Sequence, residues 1–514
     1  MSALTTINML EATGTASPFV DEADFVIVGT GPGGATAGRV LSEAGYEVIF
    51  VEEGRRQTPH DVRADGWTSF KNAWRDASMQ VAQGRAIWPI LQGCAVGGTT
   101  PINGAIIHRI PESIHASWQQ EGRVGDHLTM QSLDRVYNQL DDELSVSPVL
   151  DAKAGNNNLL FAKGAEALGW KHNAIKRNVR DCQETSRCNQ MCPAEAKQSM
   201  DRTFLPYAQQ RGARIYERAR VDAVTSTSGR ASGVRGRFRD PVTGVKGGSF
   251  ELRARRGVLV AAGAIHTPVL LKKSGVGRAS KLVGKRFMGH PGTSILIRFD
   301  SPVNIFRGAT QGHESTHYWN EGMKFEVVGL PPGVAGARLP AFGDALMNRL
   351  DALPYTAHWG LQIRADAVGS VSPGLFGGRP SIRYSFTNGD VQKFKLALSR
   401  LVEMAFAAGA RAVMPGVAGL PDEIHSVDKI RAIFDLPDNP RLFHGICAHL
   451  FGTASIGGDP RSGVVNELGE SWDLPGLYVV DASILPTNMG VNPQHTICAF
   501  SWLIAEGIVD RARA

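Results

Sequence analysis

The sequence predicts an α/β protein organised around a Rossmann-like nucleotide-binding unit, and three observations carry that expectation. Near the start, "DFVIVGTGPGGATAGRVLSEAGYEVIFVEEG" runs apolar strand, glycine turn, small-residue helix and second apolar strand. Gly29, Gly31 and Gly34 form GxGxxG in that turn, and Glu52 closes the second strand eighteen residues beyond Gly34. At 514 residues the chain exceeds one small core, so two domains, or one domain with large insertions, are expected.

Each part of the unit has a physical reason. Gly29 allows a tight turn, Gly31 lets backbone approach a pyrophosphate, and Gly34 lets helix and strand pack closely. The helix N-terminus then faces the phosphates, and the Glu52 carboxylate is placed for ribose hydroxyls. The fingerprint alone fits FAD and NAD equally.

Along the rest of the chain, residues 1–22 read as a poorly ordered arm, and helical patterns cover 131–146 and 157–168. Segment 203–262 alternates a short helix with strands and closes on "GVLVAAGAIHTP". Segment 293–440 is less regular, with Gly/Pro-rich stretches at 329–337 and 372–380 and a long helix near 390–412. The last stretch reads as strand, loop and terminal helix, with Asn492 as N-cap and Pro493 in the first turn. No repeat or low-complexity tract is visible.

Composition narrows the class. Hydrophobic residues make up 43% and charged residues 20%, as in an ordinary globular protein. The uncharged run 482–505 holds Pro486, Asn488, Asn492, Pro493, Gln494 and His495, too polar for a membrane span. No basic region precedes an apolar core at the N-terminus, and six cysteines do not make a disulfide scaffold, so a reducing cytoplasm is the expected setting. Net charge is +6, and residues 171–220 alone hold eleven Lys/Arg against five Asp/Glu. Such a window fits a docking face for an acidic partner or membrane, or a solvated region around an anionic cofactor. No nucleic-acid motif accompanies it.

Four further stretches choose among nucleotides: "GCAVGGTTPINGAIIHR" at 93–109, "GVLVAAGAIHTPVLLKKSGVG" at 257–277, "VGKRFMGHPG" at 283–292, and "HLFGTASIGG" with "LYVVDASILPTNMGVNPQHT" at 449–496. In order and spacing the chain resembles the glucose–methanol–choline (GMC) family of FAD-dependent oxidoreductases. The resemblance implies FAD, a discontinuous Rossmann-like FAD-binding domain (21–120, 200–290 and 441–514) and an inserted α+β substrate-binding domain and cap (121–199 and 291–440). It places Gly97, Gly98, Thr99, Asn103 and Gly104 beside the isoalloxazine, Val221 near the adenine, and Asp481, Ala482 and Pro493 among the cofactor contacts. Some relatives link FAD through a histidine in the first of these loops. Ile102 stands at that position, so the resemblance implies non-covalent FAD.

The implied reaction is oxidation of a primary or secondary alcohol to an aldehyde or ketone. Such chemistry needs a base near the hydroxyl and a group that aims the C–H at flavin N5. His449 matches the family's catalytic histidine, and Asn492 matches a second position that is His or Asn among relatives. His449 is then the base and Asn492 the orienting residue. His444 and His290 read as structural, and His495 as a second candidate to face the ring. Phe325, Phe342, Tyr355 and Trp359 fit either a wall for a bulky alcohol or ordinary packing. Oxygen and other electron acceptors both remain open. A non-redox FAD protein of lyase or binding type is a further alternative.

"DCQETSRCNQMCPAEAKQS" carries Cys182, Cys188 and Cys192. The segment resembles two branches of that family: bacterial long-chain or bulky-alcohol oxidases, with a cysteine-rich turn leading into "AKQS", and sugar dehydrogenases whose C-x5-C-x3-C-P ligates a three-iron cluster and passes electrons to a partner. The alternatives are a structural turn, with or without a disulfide. Cys94, Cys447 and Cys498 are isolated and read as buried apolar residues.

Overall fold

Strand Phe19–Val28 lies inside an eight-stranded sheet, because its second half is apolar on both faces. It pairs parallel with Val48–Val51 on one side and with Lys246–Val260 on the other, in the register Val26↔Ile49 and Val26↔Val258. Arg214–Glu217 and Leu477–Val479 extend this parallel core at either side. Near-continuous Val, Ile and Phe runs suit strands covered on both faces. The front half of Lys246–Val260 instead joins an antiparallel meander with Arg230–Arg239 and Ala219–Thr227. The computed structural model describes residues 4–10, 18–58, 61, 65–375 and 378–513.

Helix Pro32–Glu43 crosses from the first strand to the second and packs on the terminal helix Gln494–Arg513. A Cβ on Gly33 would stand 1.7 Å from the Val480 carbonyl oxygen, so the glycine lets the two ends of the chain close on each other. Helix Met130–Glu143 joins the same core through Leu133, Val136, Tyr137 and Leu140. This hydrophobic layer therefore reaches beyond residue 121, where the second domain was expected to begin.

The second sheet is antiparallel and is built on Met288–Arg298, which pairs with Thr356–Ile363, Ala412–Met414 and Gly445–Phe451. Met323–Val327, His313–Ser315 and His172–Ala174 continue it outward. Helices Asn388–Ala407 and Asn156–Ala167 cover one face, the former started by a Thr387–Asp390 capping box. The other face looks toward the first domain. The three helices expected within 131–412 are present, as are the short helix and the strands expected within 203–262.

One expectation needs correction. Within the supposed arm 1–22, Ile7–Asn8 pairs parallel with Tyr216 and Glu217 at the sheet edge, and residue 19 already begins the first long strand. Residues 1–3 and 11–17 of that arm lie outside the described residues. Among the described residues no helix is long and apolar enough to cross a membrane.

Candidate active site

Between the two sheets runs a cavity of about 580 Å³. At one end it is lined by Gly29, Gly31, Glu52, Gly98, Thr99, Asn103, Gly104, Val221, Asp481, Ala482 and Pro493, carried by elements from both ends of the chain. Gly31 and Gly98 meet there backbone to backbone: a Cβ on Gly98 would lie 2.6 Å from Gly31 Cα, whereas one on Gly31 meets nothing nearer than 3.8 Å. The cradle is thus open only on the side where a dinucleotide has to approach. Gly34 stands behind the turn, where a Cβ would lie 2.1 Å from the Gly29 carbonyl oxygen.

Thr30 ties three motifs together. Its hydroxyl donates to Glu52 Oε2 at 2.7 Å and accepts from the Gly97 N–H at 2.9 Å, while its own N–H also reaches Glu52 Oε2. Glu52 Oε1 accepts from the Gly54 N–H at 2.7 Å. Burial lifts the Glu52 carboxyl above its usual range, and these three donors oppose that. The carboxylate borders the cavity as expected, though much of its accepting capacity is already spent within the protein. Asp481 behaves alike, accepting from the N–H groups of Gly263 and Ser483, both at 2.8 Å.

The cysteine segment forms a clamp around the Gly-rich loop. Lys197 Nζ donates to the carbonyls of Pro101, Asn103 and Cys188 at 2.6, 3.0 and 2.9 Å. Arg177 donates through Nε to the Gly104 carbonyl at 3.2 Å and through Nη2 to Cys188 Sγ at 2.8 Å. Burial alone would raise the Cys188 thiol, but Arg177 and Lys197 bring it below its ordinary value. Burial pulls Lys197 down to about 8. All six cysteines are free, and among the described residues no three His, Cys, Asp or Glu side chains converge to hold a metal. The residues present do not fit an iron–sulfur cluster, and the disulfide alternative is not realised. Two basic residues of the 171–220 window are thereby buried props, and Arg202, Arg214 and Arg218 are engaged by carboxylates. The turn also delivers Asn189 and Gln190 to the cavity wall, and both amide atoms of buried Gln190 lack a protein partner.

At the other end the second sheet supplies side chains. His449, on Gly445–Phe451, lies opposite His290 in the ladder, with Nδ1 3.0 Å from His290 Nδ1. Its Nε2 lies 3.2 Å from Asn492 Nδ2. Asn492 Oδ1 accepts from Lys324 Nζ at 2.8 Å. An ammonium only donates, so Lys324 holds the Asn492 carbonyl toward itself and turns the amide N–H₂ to His449. His449 Nε2 is then the acceptor, and Nδ1–H donates to His290. The imidazole is thus set with its lone pair on the Asn492 side.

Lys324 anchors a buried charged network. It pairs with Glu314 and Glu326, both at 2.9 Å; Glu314 takes a second contact from His108 at 2.8 Å, and Gln311 donates to Glu326 at 3.0 Å. Burial would lift the Glu314 carboxyl, but His108 and Lys324 hold it well below the carboxylate range. Burial would likewise lower Lys324, and the two carboxylates raise it instead. For His449 burial, then Lys324 and His108, act together and bring it down to about 3.

Several readings of individual residues change. Asn492 does not cap the terminal helix: the helix begins at Gln494, and the Pro493 carbonyl accepts from Ile497, leaving the Asn492 amide for Lys324 and His449. His495 stacks on Tyr137 with its Nε2 2.8 Å from Asp141 Oδ1, and does not border the cavity. His290 touches His449 directly, and His444 stands exposed at the cavity wall, so neither is remote from the site. Phe325 and Trp359 face the helices, because strand alternation gives the cavity to Glu326 and Gly360. Phe342 and Tyr355 are exposed and also line no part of it. Lys324, Glu326 and Gln311 were missed; "MKFEV" does carry the signal, two charges on one face of a buried strand.

Known proteins share this architecture. The N-terminal GMC oxidoreductase family model matches residues 23–292 and the C-terminal one residues 378–501. An uncharacterized GMC-type oxidoreductase of Mycobacterium tuberculosis is 35% identical over 506 residues, covering 96% of this chain and 77% of the relative. A long-chain-alcohol oxidase of Arabidopsis thaliana is 25% identical, over 95% of this chain and 67% of its own. The crystal structure of pyridoxine 4-oxidase from Mesorbium loti superposes with a TM-score of 0.70 at 18% identity, covering 94% and 98% of the two chains. The chain belongs to the GMC oxidoreductase family.

Proposed function

We propose that the protein oxidises an alcohol to an aldehyde or ketone with non-covalently held FAD, His449 acting as base and Asn492 as the residue that orients the hydroxyl. The observation that carries this reading is the polarity of the pair: His449 presents an accepting Nε2 beside a donating Asn492 amide. A hydroxyl entering between them donates its proton to Nε2 and accepts from Nδ2–H, so both of its polar contacts are pre-set. The imidazole is neutral at ordinary pH, so its Nε2 lone pair is available to accept, and Nδ1–H toward His290 keeps the ring from turning. Lys324, by holding Asn492, fixes the other half of the clamp.

The glycine cradle, Glu52 and the clamped Pro101–Gly104 loop would hold FAD, whose chemistry here is acceptance of the carbinol hydride. Ile102 is fully buried where some relatives carry a linking histidine, which supports non-covalent binding. The long-chain-alcohol oxidase relative supports an alcohol as the substrate class. The test is the anaerobic visible spectrum of the holoenzyme with a panel of primary alcohols. One alcohol should bleach the flavin, and His449→Ala should slow that bleaching by about a hundredfold to ten-thousandfold. Bleaching at near wild-type rate in His449→Ala removes the base assignment; no bleaching by any alcohol removes the reaction.

A further inference from the structure

Arg338 stands in the cavity wall with no anionic partner among the described residues. It follows the short helix Pro332–Gly336, and its Nη2 donates to the Ser294 carbonyl at 3.1 Å while its buried Nε has no acceptor. Burial lowers its pKa, and no carboxylate counters that. Lys324, Arg39 and Lys395 are each compensated by carboxylates, Glu314 with Glu326, Glu143 and Asp438 respectively, and buried Arg177 and Lys197 are spent on carbonyls and on Cys188 Sγ. A desolvated guanidinium left uncompensated is costly, and a ligand anion is what relieves it.

Its surroundings agree. His358 donates Nδ1–H to the Val328 carbonyl at 3.1 Å, and burial, aided by the charge of Arg338, holds it at about 3. The neutral ring contributes no compensating charge. Val328, Leu330, Pro331, Val334 and Ile446 border the same cavity and give it an apolar wall. Position along the sheet sets the span. His290, against His449, and Ser294, against Arg338, are both on Met288–Arg298. They are four steps apart along the strand, roughly 13 Å.

We infer that the substrate is an alcohol with a carboxylate at the opposite end of an apolar chain, its hydroxyl between His449 and Asn492 and its carboxylate on Arg338. The inference rests on the alcohol-oxidation reading above and names the substrate class for that site. A guanidinium meets two carboxylate oxygens with parallel N–H bonds, which a lone hydroxyl or alkyl end cannot match. The carboxylate is a spectator. The carbinol carbon loses a hydride to FAD and its hydroxyl proton to His449, leaving an aldehyde at one end and the acid at the other.

The test compares ω-hydroxydecanoate, whose length is roughly the span of the cavity, with n-decanol. Both are given anaerobically to the FAD-loaded enzyme, wild type, Arg338→Gln and Arg338→Lys, with an artificial redox dye as electron acceptor and dye reduction as the readout of turnover. In the wild type the KM for the hydroxy acid should be lower than that for the alcohol by about thirtyfold or more. Arg338→Gln should erase that preference and leave n-decanol unchanged. Equal KM values in the wild type, or a variant that shifts both substrates alike, overturns the inference. Arg338→Lys keeps the charge and serves if the glutamine variant does not fold: a rise in KM confined to the acid supports the site, and an unchanged preference overturns it. Decanoate, which has no hydroxyl to oxidise, separates this inference from the reading beneath it. If no alcohol bleaches the flavin yet decanoate perturbs its spectrum in the wild type and not in the variant, the anion site stands and the oxidation reading falls. If decanoate acts on both alike, or on neither, the anion site falls.

Discussion

The two ends of the cavity are built from different materials. The cofactor end is largely backbone: glycines at fixed spacing, a helix N-terminus and carbonyls held by Lys197 and Arg177. The end proposed as catalytic is side chain: an imidazole pair, an amide and a buried lysine between two glutamates. Backbone construction tolerates almost no added atom, whereas side-chain construction depends on charge balance. The first should therefore fail sterically, and the second electrostatically.

The largest expected effect tests the steric end. Gly33→Ala forces a Cβ onto the Val480 carbonyl and should cost more than about 4 kcal/mol, seen as loss of the cooperative thermal transition. Gly31→Ala, with nothing within 3.8 Å of the new Cβ, should fold but bind FAD weakly. Equal behaviour of the two variants would break the contrast.

Next comes the charged end. Lys324→Met strands Glu314 and Glu326 without their cation and should cost about 3–5 kcal/mol in denaturant unfolding. Asn492→Ala keeps every charge but takes one acceptor from buried Lys324, so it should cost about 1–3 kcal/mol while slowing flavin bleaching by about tenfold to a hundredfold. A stability loss as large as that of Lys324→Met would mean that Asn492 is structural.

A pH series is a finer probe. His449, brought down to about 3, stays unprotonated through the neutral range, so the bleaching rate should be flat there and fall only as pH drops toward that value. Protonation removes the accepting lone pair, which sets the direction. In Lys324→Met the fall should begin at higher pH, because one of the cations that depress the ring is gone. An inflection near the ordinary 6.5 in the wild type would show that the ring is not held this way. The smallest effect belongs to Cys182→Ser and Cys192→Ser, which should leave the visible spectrum that of flavin and shift stability by less than about 0.5 kcal/mol.

The same contrast explains what could be read in the sequence. Gly29, Gly31 and Gly34 were legible because backbone sites need a residue type at a fixed spacing, and spacing is local. The parallel core was legible because strands buried on both faces are continuously apolar. His449 and Asn492 were found through motif resemblance, yet their neighbours were not. Lys324, Glu314 and His108 come from three separate segments that meet only once the second sheet forms. For Phe325 and Trp359 the packing alternative holds, and composition alone could not choose it because it does not say which face of a strand a ring occupies. Asn492-Pro493 looked like a helix cap, and a stronger partner, the Lys324 ammonium, claimed the amide. The cysteine spacing resembled a ligand set, and what the turn provides is a prop for a neighbouring loop.

The closure of the first and last segments on one another has a consequence for biosynthesis. The Val480 carbonyl and the helix Gln494–Arg513 that complete the core of the glycine turn emerge from the ribosome about 450 residues after it. At about 5–20 residues per second the nascent nucleotide-binding half waits roughly half a minute to a minute and a half with its apolar surface uncovered. The antiparallel second sheet, most of which lies between those segments, can be translated and begin to fold during that wait. Chaperone occupancy during translation should therefore concentrate on the early strands, and extensions at the C-terminus should disturb folding more than their distance from the catalytic residues implies.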